Sequence, residues 1–530
     1  MIHISPKLRM INNRKLNHKN IYLLGLIFLA IGLPLSKFLM SFAEIILFAN
    51  WILEGNIFNK IKIFFKNKLA LILSSLFLLH ILGLLYTSDF DYAFKDLRVK
   101  LPLLILPLIV STSPQLDRKK IITILLLFVL AVLASTFAST YFFINADFND
   151  IRNISVYISH IRLSLLICMS IFILLYFVIY GSDFSKRYKI FFSFTIIWFI
   201  AFLIILESIT GLAILIIIGL ILLITEVFRQ KKNILKIELL VLIIAIPSLI
   251  FYYINGIYHD FFKPPTKQKL EKVTKLGNKY FNDSLNTEIE NGHYVWINIC
   301  EKEMKESWNK LSNLNYDGKD KRDQYLKSTL LRFLTSKGYK KDAEGVNKLT
   351  KEEIICIENG IANVYCKNDF SVKSRIFETI WEYENYRKTS NPNGHSVMQR
   401  FEYWKASLGI IKENLFLGVG TGDMNEAFAN QYNKTNSPLE KKWRLRSHNQ
   451  FLSITVGFGL IGLLWFMVFL IFPFFHKKVK IDYFYIIFFL IAILSMLAED
   501  TIESQAGITF FVFFNTLLLL GRKNENNLIS

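Results

Sequence analysis

Twelve apolar runs divide this 530-residue chain and restrict it to a small set of folds. Runs of this kind can cross a bilayer core of about 30 Å as helices. Two are less regular: Pro34 and Lys37 interrupt the first pair, and the fourth run contains Pro102 and Pro107. We predict an all-α polytopic membrane protein with about twelve transmembrane helices. The runs lie near residues 20–35, 39–54, 68–86, 100–112, 120–144, 161–180, 188–206, 210–228, 236–255, 450–475, 482–498 and 505–521.

The net charge of +20 has to be interpreted from the positions of the basic residues. Such a charge could indicate nucleic-acid binding, but the Lys and Arg residues cluster in short connectors between apolar runs, so we predict no nucleic-acid partner. If the N-terminus is cytoplasmic, inner segments hold 24 Lys and Arg, whereas the outer segments apart from one large loop hold six. The inner group includes Lys7, Arg9, Arg14, Lys15 and Lys19, and the outer one Lys37, Lys95, Arg98, Lys100, Arg152 and Arg162.

This asymmetry predicts the topology and the division into domains. Residues 1–255 form an N-terminal membrane domain of about nine helices, 256–449 a large exterior loop, and 450–530 a C-terminal membrane domain of about three helices. Both termini are then cytoplasmic, and in a Gram-negative cell the large loop is periplasmic. The expected location is the inner membrane.

The large loop has the features of a folded, mainly helical domain. It contains five tryptophans that can form a core. Thr350 to Glu353 matches a capping box, with Gly360 as a stop, and a second helical pattern runs from Ser396 to about Lys412. A Cys356–Cys366 bridge is possible in an oxidising compartment, although the loop has a third thiol, and the spacing indicates no metal site.

The most informative stretch extends from Arg400 to Gly462. It contains R-F-E-Y-W-K from Arg400, G-V-G-T-G-D ending at Asp423, Tyr432, and R-L-R-S-H-N-Q-F-L from Arg444, followed by an apolar run with G-F-G-L-I-G. This stretch resembles the O-antigen ligase family, which shares its C-terminal region with O-antigen polymerases and some O-linked protein glycosyltransferases. Weaker likeness covers D-L-R-V-K-L-P from Asp96, S-H-I-R-L-S-L from Ser159 and E-D-T-I-E-S-Q-A-G from Glu499.

The resemblance implies a GT-C-like membrane glycosyltransferase fold and a ligase-type enzyme. A glycan on undecaprenyl diphosphate would pass to an acceptor hydroxyl, usually a sugar of the lipid A core, at the periplasmic face. The expected partners are the lipid-linked glycan, the acceptor glycan or protein, and membrane lipid. The family is thought to work without a metal, no cofactor is expected, and attack opposite the diphosphate would invert the anomeric centre.

Two chemical tasks select the candidate residues. His448, at the exterior mouth of a run, has a side chain suited to act as a general base near neutral pH. A guanidinium is always charged and matches phosphate oxygens, so we assign Arg400 to the catalytic site. Further diphosphate ligands are expected among Arg162, Arg98, Arg444 and Arg446. The alternatives are an interfacial His bonded to a loop carbonyl and arginines that extend to the membrane surface without a role.

Acidic residues at the same face have a less specific assignment. Asp423, Glu499 and Asp500 could bind acceptor hydroxyls, pair with the arginines or belong to solvated loops. The glycines before Asp423 do not follow a strand, so we expect a tight loop and not a nucleotide site. Relatives often carry Arg after the Ser at position 208, where this chain has Ile209. If that Arg binds diphosphate in relatives, Arg98 or Arg162 must compensate here.

Several functions remain open at this point. An O-antigen polymerase would use the same donor but a second lipid-linked glycan as acceptor, and a protein glycosyltransferase would modify protein hydroxyls. A polysaccharide transporter is less favoured because the chain has no visible repeat and few charges in the middle of its runs.

Overall fold

The computed structural model describes residues 17–145, 154–265, 268–286, 288–366, 372–477 and 481–523. The described chain is predominantly helical. Seven basic residues of the charge count lie outside these ranges, as does the side chain of Cys366, so the orientation and the Cys356–Cys366 bridge stay predictions. The seven are Lys7, Arg9, Arg14, Lys15, Arg152, Lys478 and Lys480.

The described membrane region is built almost entirely from helices. Its N-terminal part comprises α1 (His18–Leu35), α2 (Lys37–Leu53), α3 (Ile57–Lys66), α4 (Lys68–Leu82), α5 (Phe90–Lys100), α6 (Pro102–Thr112), α7 (Arg118–Asn145), α8 (His160–Tyr180), α9 (Lys186–Ile205), α10 (Ile209–Arg229) and α11 (Asn233–Phe261). Its C-terminal part comprises α19 (Gln450–Phe475), α20 (Tyr483–Met496) and α21 (Gln505–Leu519).

Eight of the described helices are long and apolar enough to cross a membrane, which supports the polytopic architecture. The α2–α3 pair, bent by 113°, would make a ninth. Three other predicted spans form helices of only 11, 14 and 15 residues, namely α6, α20 and α21. The count of twelve crossings and the GT-C-like fold therefore stay predictions.

A single apolar core joins the membrane helices, and α21 lies at its centre. Every residue of α21 from Gly507 to Leu519 is buried. Phe488 of α20 lies 5.6 Å from Phe510 and Phe514, measured between ring centroids. In the connector between α20 and α21, Glu499, Thr501 and Ile502 are also buried.

The large loop forms a helical domain with its own core. Its elements are β1 (Ile289–Glu290), β2 (His293–Tyr294), α12 (Glu301–Leu311), α13 (Leu326–Ser336), α14 (Ala343–Asn347), α15 (Lys351–Glu358), α16 (Val372–Thr389), α17 (Ser396–Glu413) and α18 (Met424–Lys434). The two short strands are antiparallel, with Ile289 opposite Tyr294. Trp308 and Phe333 are fully buried in the core between residues 299 and 361. The predicted capping box at Thr350 and Glu353 is confirmed, as is the helix that begins at Ser396.

A second part of the loop packs directly on the membrane region. Tyr403, Phe428 and Tyr432 share a core with Val456 of α19. The backbone of α19 is interrupted at Gly459, whose φ is +64°. The loop segment 415–420 satisfies the backbone groups that this interruption frees: Val419 N–H donates to Val456 O at 2.9 Å and Leu460 N–H to Leu415 O at 2.8 Å.

The glycines of G-V-G-T-G-D serve this close packing. A Cβ atom on Gly418 would lie 2.4 Å from backbone atoms at Gly457 and Phe458, and one on Gly422 would lie 2.0 Å from Asp89 O. The segment thus fits between the bend of α19 and the turn that precedes α5. This is the tight loop that the sequence predicts.

We expect Gly459→Ala to lower the stability of the folded protein by at least about 1–2 kcal/mol, because an L-residue at this φ is strained. The new Cβ would also lie 2.2 Å from the backbone of Phe416. The measurement is thermal unfolding in detergent. Gly219→Ala is the matched control, since a Cβ there meets nothing within 4 Å and Ala favours a helix. Equal unfolding temperatures for the two variants would contradict this account of the bend.

Candidate active site

The connector between α20 and α21 places three carboxylates at one end of the helix bundle. Glu499 is 8% exposed, and the side chain of Glu503 is 6% exposed. Gln450, the first residue of α19, accepts a hydrogen bond from Ile502 N–H at 2.8 Å. Ser453 donates to Asp500 at 2.7 Å. These contacts hold the connector against the start of α19 and aim its carboxylates at neighbouring cations.

His448 lies directly before the N-cap of α19 and faces this connector. Its Nδ1 is 3.4 Å from Glu499 Oε2, and its backbone N–H donates to Asp500 Oδ2 at 3.1 Å. Because an ionised carboxylate only accepts hydrogen bonds, the Nδ1 contact favours a proton on Nδ1 and leaves Nε2 as the basic nitrogen. The ring stacks on Tyr403 with centroids 5.5 Å apart, and the side chain is 33% exposed. The imidazole is thus oriented on one side and accessible on the other.

The backbone of His448 has an unusual conformation. Its φ is +46°, a value that only a few per cent of non-glycine residues adopt. The hydrogen bond to Asp500 and the cap at Asn449, which accepts from Leu452 N–H at 3.1 Å, fix this conformation. Strained residues held in this way concentrate at functional sites.

Arg400 reaches the same carboxylate from α17. Its Nη2 lies 2.7 Å from Glu499 Oε1, while its Nε is buried without a hydrogen-bond partner among the described residues. One turn further along α17, Trp404 donates to Ser447 O at 3.1 Å. The helix that carries Arg400 is therefore tied to the segment that carries His448.

Arg162 reaches the connector from the first turn of α8. Its Nη2 donates to Asp500 O at 2.9 Å, and its Nη1 is buried without a hydrogen-bond partner within the described ranges. Gly507 allows this approach, since a Cβ there would lie 3.1 Å from the guanidinium carbon. Ile209, the position for which the sequence analysis expected compensation by another arginine, begins α10 and is 44% exposed. Arg162 and Arg400 thus supply two partly unsatisfied guanidiniums that contact adjacent residues of one acidic connector.

The pKa values of the two adjacent carboxylates, Glu499 and Asp500, are shifted in opposite directions. Burial alone would raise the pKa of Glu499, but the His448 hydrogen bond and the charges of Arg400 and Arg162 outweigh it, so the pKa lies below its ordinary value. Burial and the negative charge of Glu503 raise the pKa of Asp500. Glu499 is therefore the ionised partner that orients His448.

A second ionic cluster borders the first, and the sequence analysis predicted its Arg446 as a ligand but none of its ion pairs. Lys100 is fully buried and lies 2.5 Å from Asp96 and 2.7 Å from Glu503. Arg446 lies 3.7 Å from Glu503, and Gln450 donates to the same carboxylate at 3.1 Å. The sequence signal that could have revealed an ion pair is the four-residue spacing of Asp96 and Lys100, which places both side chains on one face of a helix.

Two of the predicted arginines lie away from these clusters. Arg98 is exposed on α5, two residues from Asp96 and Lys100 and therefore on another helix face. Arg444 donates to Leu439 O at 2.9 Å and to Asn433 at 2.6 Å, so it braces the loop domain. The structure therefore brings together Arg400, Arg162 and Arg446, but neither Arg98 nor Arg444 contacts the acidic connector.

Asp423 accepts hydrogen bonds from the backbone N–H groups of Ser88 at 2.9 Å and Asp89 at 2.8 Å. We expect Asp423→Ala to destabilise the protein by about 1–2 kcal/mol, because these donors lose a charged acceptor. Asp423→Asn, which retains an acceptor oxygen, should lose less. Thermal unfolding of the purified variants measures both, and equal unfolding temperatures for Asp423→Ala and the unmodified protein would contradict an anchoring role.

Three residues of this site, Arg400, Arg446 and His448, fall within one recognisable sequence region. Residues 361–467 match a family model described as O-Antigen ligase. This region is therefore similar to the O-antigen ligase family. No curated protein matches the chain. The match supports a function of the O-antigen ligase or polymerase type in a membrane protein.

The O-antigen ligase region contributes only part of the site. It contains Arg400, Arg446 and His448, whereas Arg162, Glu499 and Asp500 lie outside it. The acidic connector thus completes the site from the C-terminal membrane helices. Among the described residues no group of three or more His, Cys, Asp or Glu is arranged to hold a metal ion.

Proposed function

We propose that this chain transfers a glycan from undecaprenyl diphosphate to an acceptor hydroxyl, most readily a sugar of the lipid A core. The reaction occurs at the periplasmic face of the inner membrane, with the large loop periplasmic and both termini cytoplasmic. The acceptor oxygen attacks the anomeric carbon, its proton passes to the protein, and the lipid diphosphate leaves. Attack opposite the leaving group inverts the anomeric centre, and the proposal assigns no step to a metal.

The observation that carries this proposal is the orientation of His448. Glu499 lies at its Nδ1, so Nε2 is available to accept a proton. The carboxylate also stabilises the imidazolium that forms. A base held by an acidic partner and open on its other side is suited to deprotonate a sugar hydroxyl.

The arginines support the departure of the diphosphate. Arg400 Nε and Arg162 Nη1 have no hydrogen-bond partner among the described residues, and each guanidinium contacts the connector through Nη2. Phosphate oxygens could satisfy these free donors while the contacts to the connector persist. Arg446 would add positive charge at the edge of the site. Arg98 and Arg444, which are positioned elsewhere, are better candidates for binding the acceptor or bracing the fold.

The glycolipid pattern after gene deletion tests the proposed reaction. Loss of long chains with bare lipid A core supports a ligase, whereas core carrying a single repeat supports a polymerase. An unchanged glycolipid profile with unglycosylated proteins supports protein glycosylation. Complementation with the unmodified gene is the control, and a profile that is unchanged for glycolipids and glycoproteins alike would refute the proposal.

We expect Arg400→Ala to reduce transfer by about 10²–10³-fold, because a donor aimed at the departing charge is lost. The measurement is the rate of transfer in membranes that contain equal amounts of protein. Arg387→Ala is the matched control, since this loop arginine is 62% exposed and pairs with Glu384. Equal rates for the two variants would exclude Arg400 from diphosphate stabilisation.

A further inference from the structure

A large cavity lies within the membrane region, away from His448. Its volume is about 1260 Å³, and its walls come from α8, α9, α10, α11 and α20. The lining is mostly aliphatic and aromatic and includes Phe172, Ile196, Leu220 and Leu490. This volume exceeds the roughly 300–1,000 Å³ of ordinary small-molecule sites. The space is therefore suited to long apolar chains.

The cavity lies toward the end of the bundle opposite the candidate active site. Helix α8 begins next to Arg162 and ends at Tyr180, about 30 Å away at 1.5 Å per residue. The cavity is lined by the second half of α8, from Ile171 to Tyr180, and by the beginning of α20. It thus extends from mid-membrane to the far face, the depth of one leaflet.

Charged residues surround the far end of this cavity. Four cations line it, Arg118, Arg229, Arg522 and Lys523, together with the acids Glu226 and Asp482. Asp482 pairs with Arg522, and Tyr180 donates to Glu226 at 3.4 Å. Arg118 lies 3.5 Å from Asp183, and its Nε is buried without a hydrogen-bond partner among the described residues. Even with Asp183 included, this rim retains an excess of positive charge.

We infer that this cavity binds an anionic phospholipid of the leaflet opposite the candidate active site. The acyl chains occupy the apolar cavity, and the phosphate contacts the cationic rim. The charge of the rim and the one-leaflet depth both favour this occupant. A lipid diphosphate whose phosphates contact Arg400 and Arg162 would have its head group at the other face. The inferred ligand is therefore distinct from the glycan donor.

Lipid binding by the full-length protein tests this inference. Delipidated protein in detergent would be titrated with dioleoyl phosphatidylglycerol or dioleoyl phosphatidylcholine, and bound lipid would be measured by native mass spectrometry. We expect phosphatidylglycerol to bind more tightly and to raise the unfolding temperature. Arg229→Gln and Lys523→Gln should each weaken its binding by about fivefold, because each removes one charge near the phosphate. Arg187→Gln, a control beyond the cavity lining, should bind like the unmodified protein.

A substitution inside the cavity distinguishes a loss of lipid binding from a loss of folding. Gly219 lines the cavity, and a Cβ there meets no atom within 4 Å, so Gly219→Phe should fill the space without disturbing the backbone. We expect at least a tenfold loss of phosphatidylglycerol binding with an unfolding temperature in lipid-free detergent close to that of the unmodified protein. Equal affinity for the two lipids would overturn the inference. Tighter binding of undecaprenyl phosphate than of phosphatidylglycerol, lost in Gly219→Phe, would also overturn it by indicating a prenyl-chain site.

Discussion

Replacing His448 with alanine is expected to reduce glycan transfer by about 10²–10⁴-fold, the usual contribution of a general base. The ring lies between Glu499 at 3.4 Å and the stacked Tyr403, so its removal takes away the oriented base of the proposed reaction. The assay is transfer of lipid-linked glycan to acceptor in membranes with matched protein content. The effect should be mainly on kcat, because the imidazole acts on the reacting hydroxyl.

The control for His448→Ala is His259→Ala, an exposed histidine in the last turn of α11. Glu499→Gln provides a second comparison, since it retains the size of the side chain but removes the charge that orients the imidazole. We expect it to lower transfer less than His448→Ala and to change the pH profile. Full transfer by His448→Ala at normal abundance in the membrane would show that another group takes the proton.

Replacing Lys100 with methionine is expected to destabilise the folded protein by about 3–5 kcal/mol. Lys100 is fully buried between Asp96 and Glu503, and its removal leaves two carboxylates without their cation. Burial alone would lower the pKa of Lys100, but these two charges outweigh it and raise the pKa. Burial would likewise raise the pKa of Glu503, but Lys100 and Arg446 hold it below its ordinary value. The ion pair therefore remains charged across the physiological range.

The measurement for Lys100→Met is thermal unfolding of the purified protein. Lys95→Met, on the exposed face of the same helix, is the matched control and should change the unfolding temperature little. Adding Glu503→Gln to Lys100→Met should recover part of the loss, since one unpaired charge is removed. A double variant less stable than Lys100→Met would contradict this explanation.

The sequence predicts the parts of the fold that depend on local pattern. Apolar runs became helices, and the helix from Ser396 and the capping box at Thr350 formed as expected. In these segments the periodicity and the cap residues act over a few positions, so no distant contact has to be known. The shortness of α20 and α21 could not be predicted, because it depends on the connector folding back against Gln450 of α19.

The site was predictable only in outline. The placement of charges predicted that Arg162, Arg400, His448 and Glu499 lie at one face. It could not predict that Arg162 contacts Asp500, because the two residues are 338 positions apart in the chain. Lys100 was counted as an ordinary outer cation, because its partner Glu503 is 403 positions distant. Arg98 and Arg444 are arginines like the other candidates, so the sequence could not distinguish them. The structure separates them from the site, because Arg98 lies on another helix face and Arg444 makes contacts within the loop.

The lengths of α20 and α21 bear on how deep in the membrane the proposed reaction would take place. At 1.5 Å per residue these helices of 14 and 15 residues are about 21–23 Å long, less than a hydrocarbon core of about 30 Å. If the far ends of both helices lie at the opposite membrane surface, their connector lies below the level of the surrounding lipid head groups. A carrier lipid would meet Glu499 and its partners without rising out of the bilayer. In the proposed reaction, the water-soluble portion of the substrate would have to reach down to the level of Glu499.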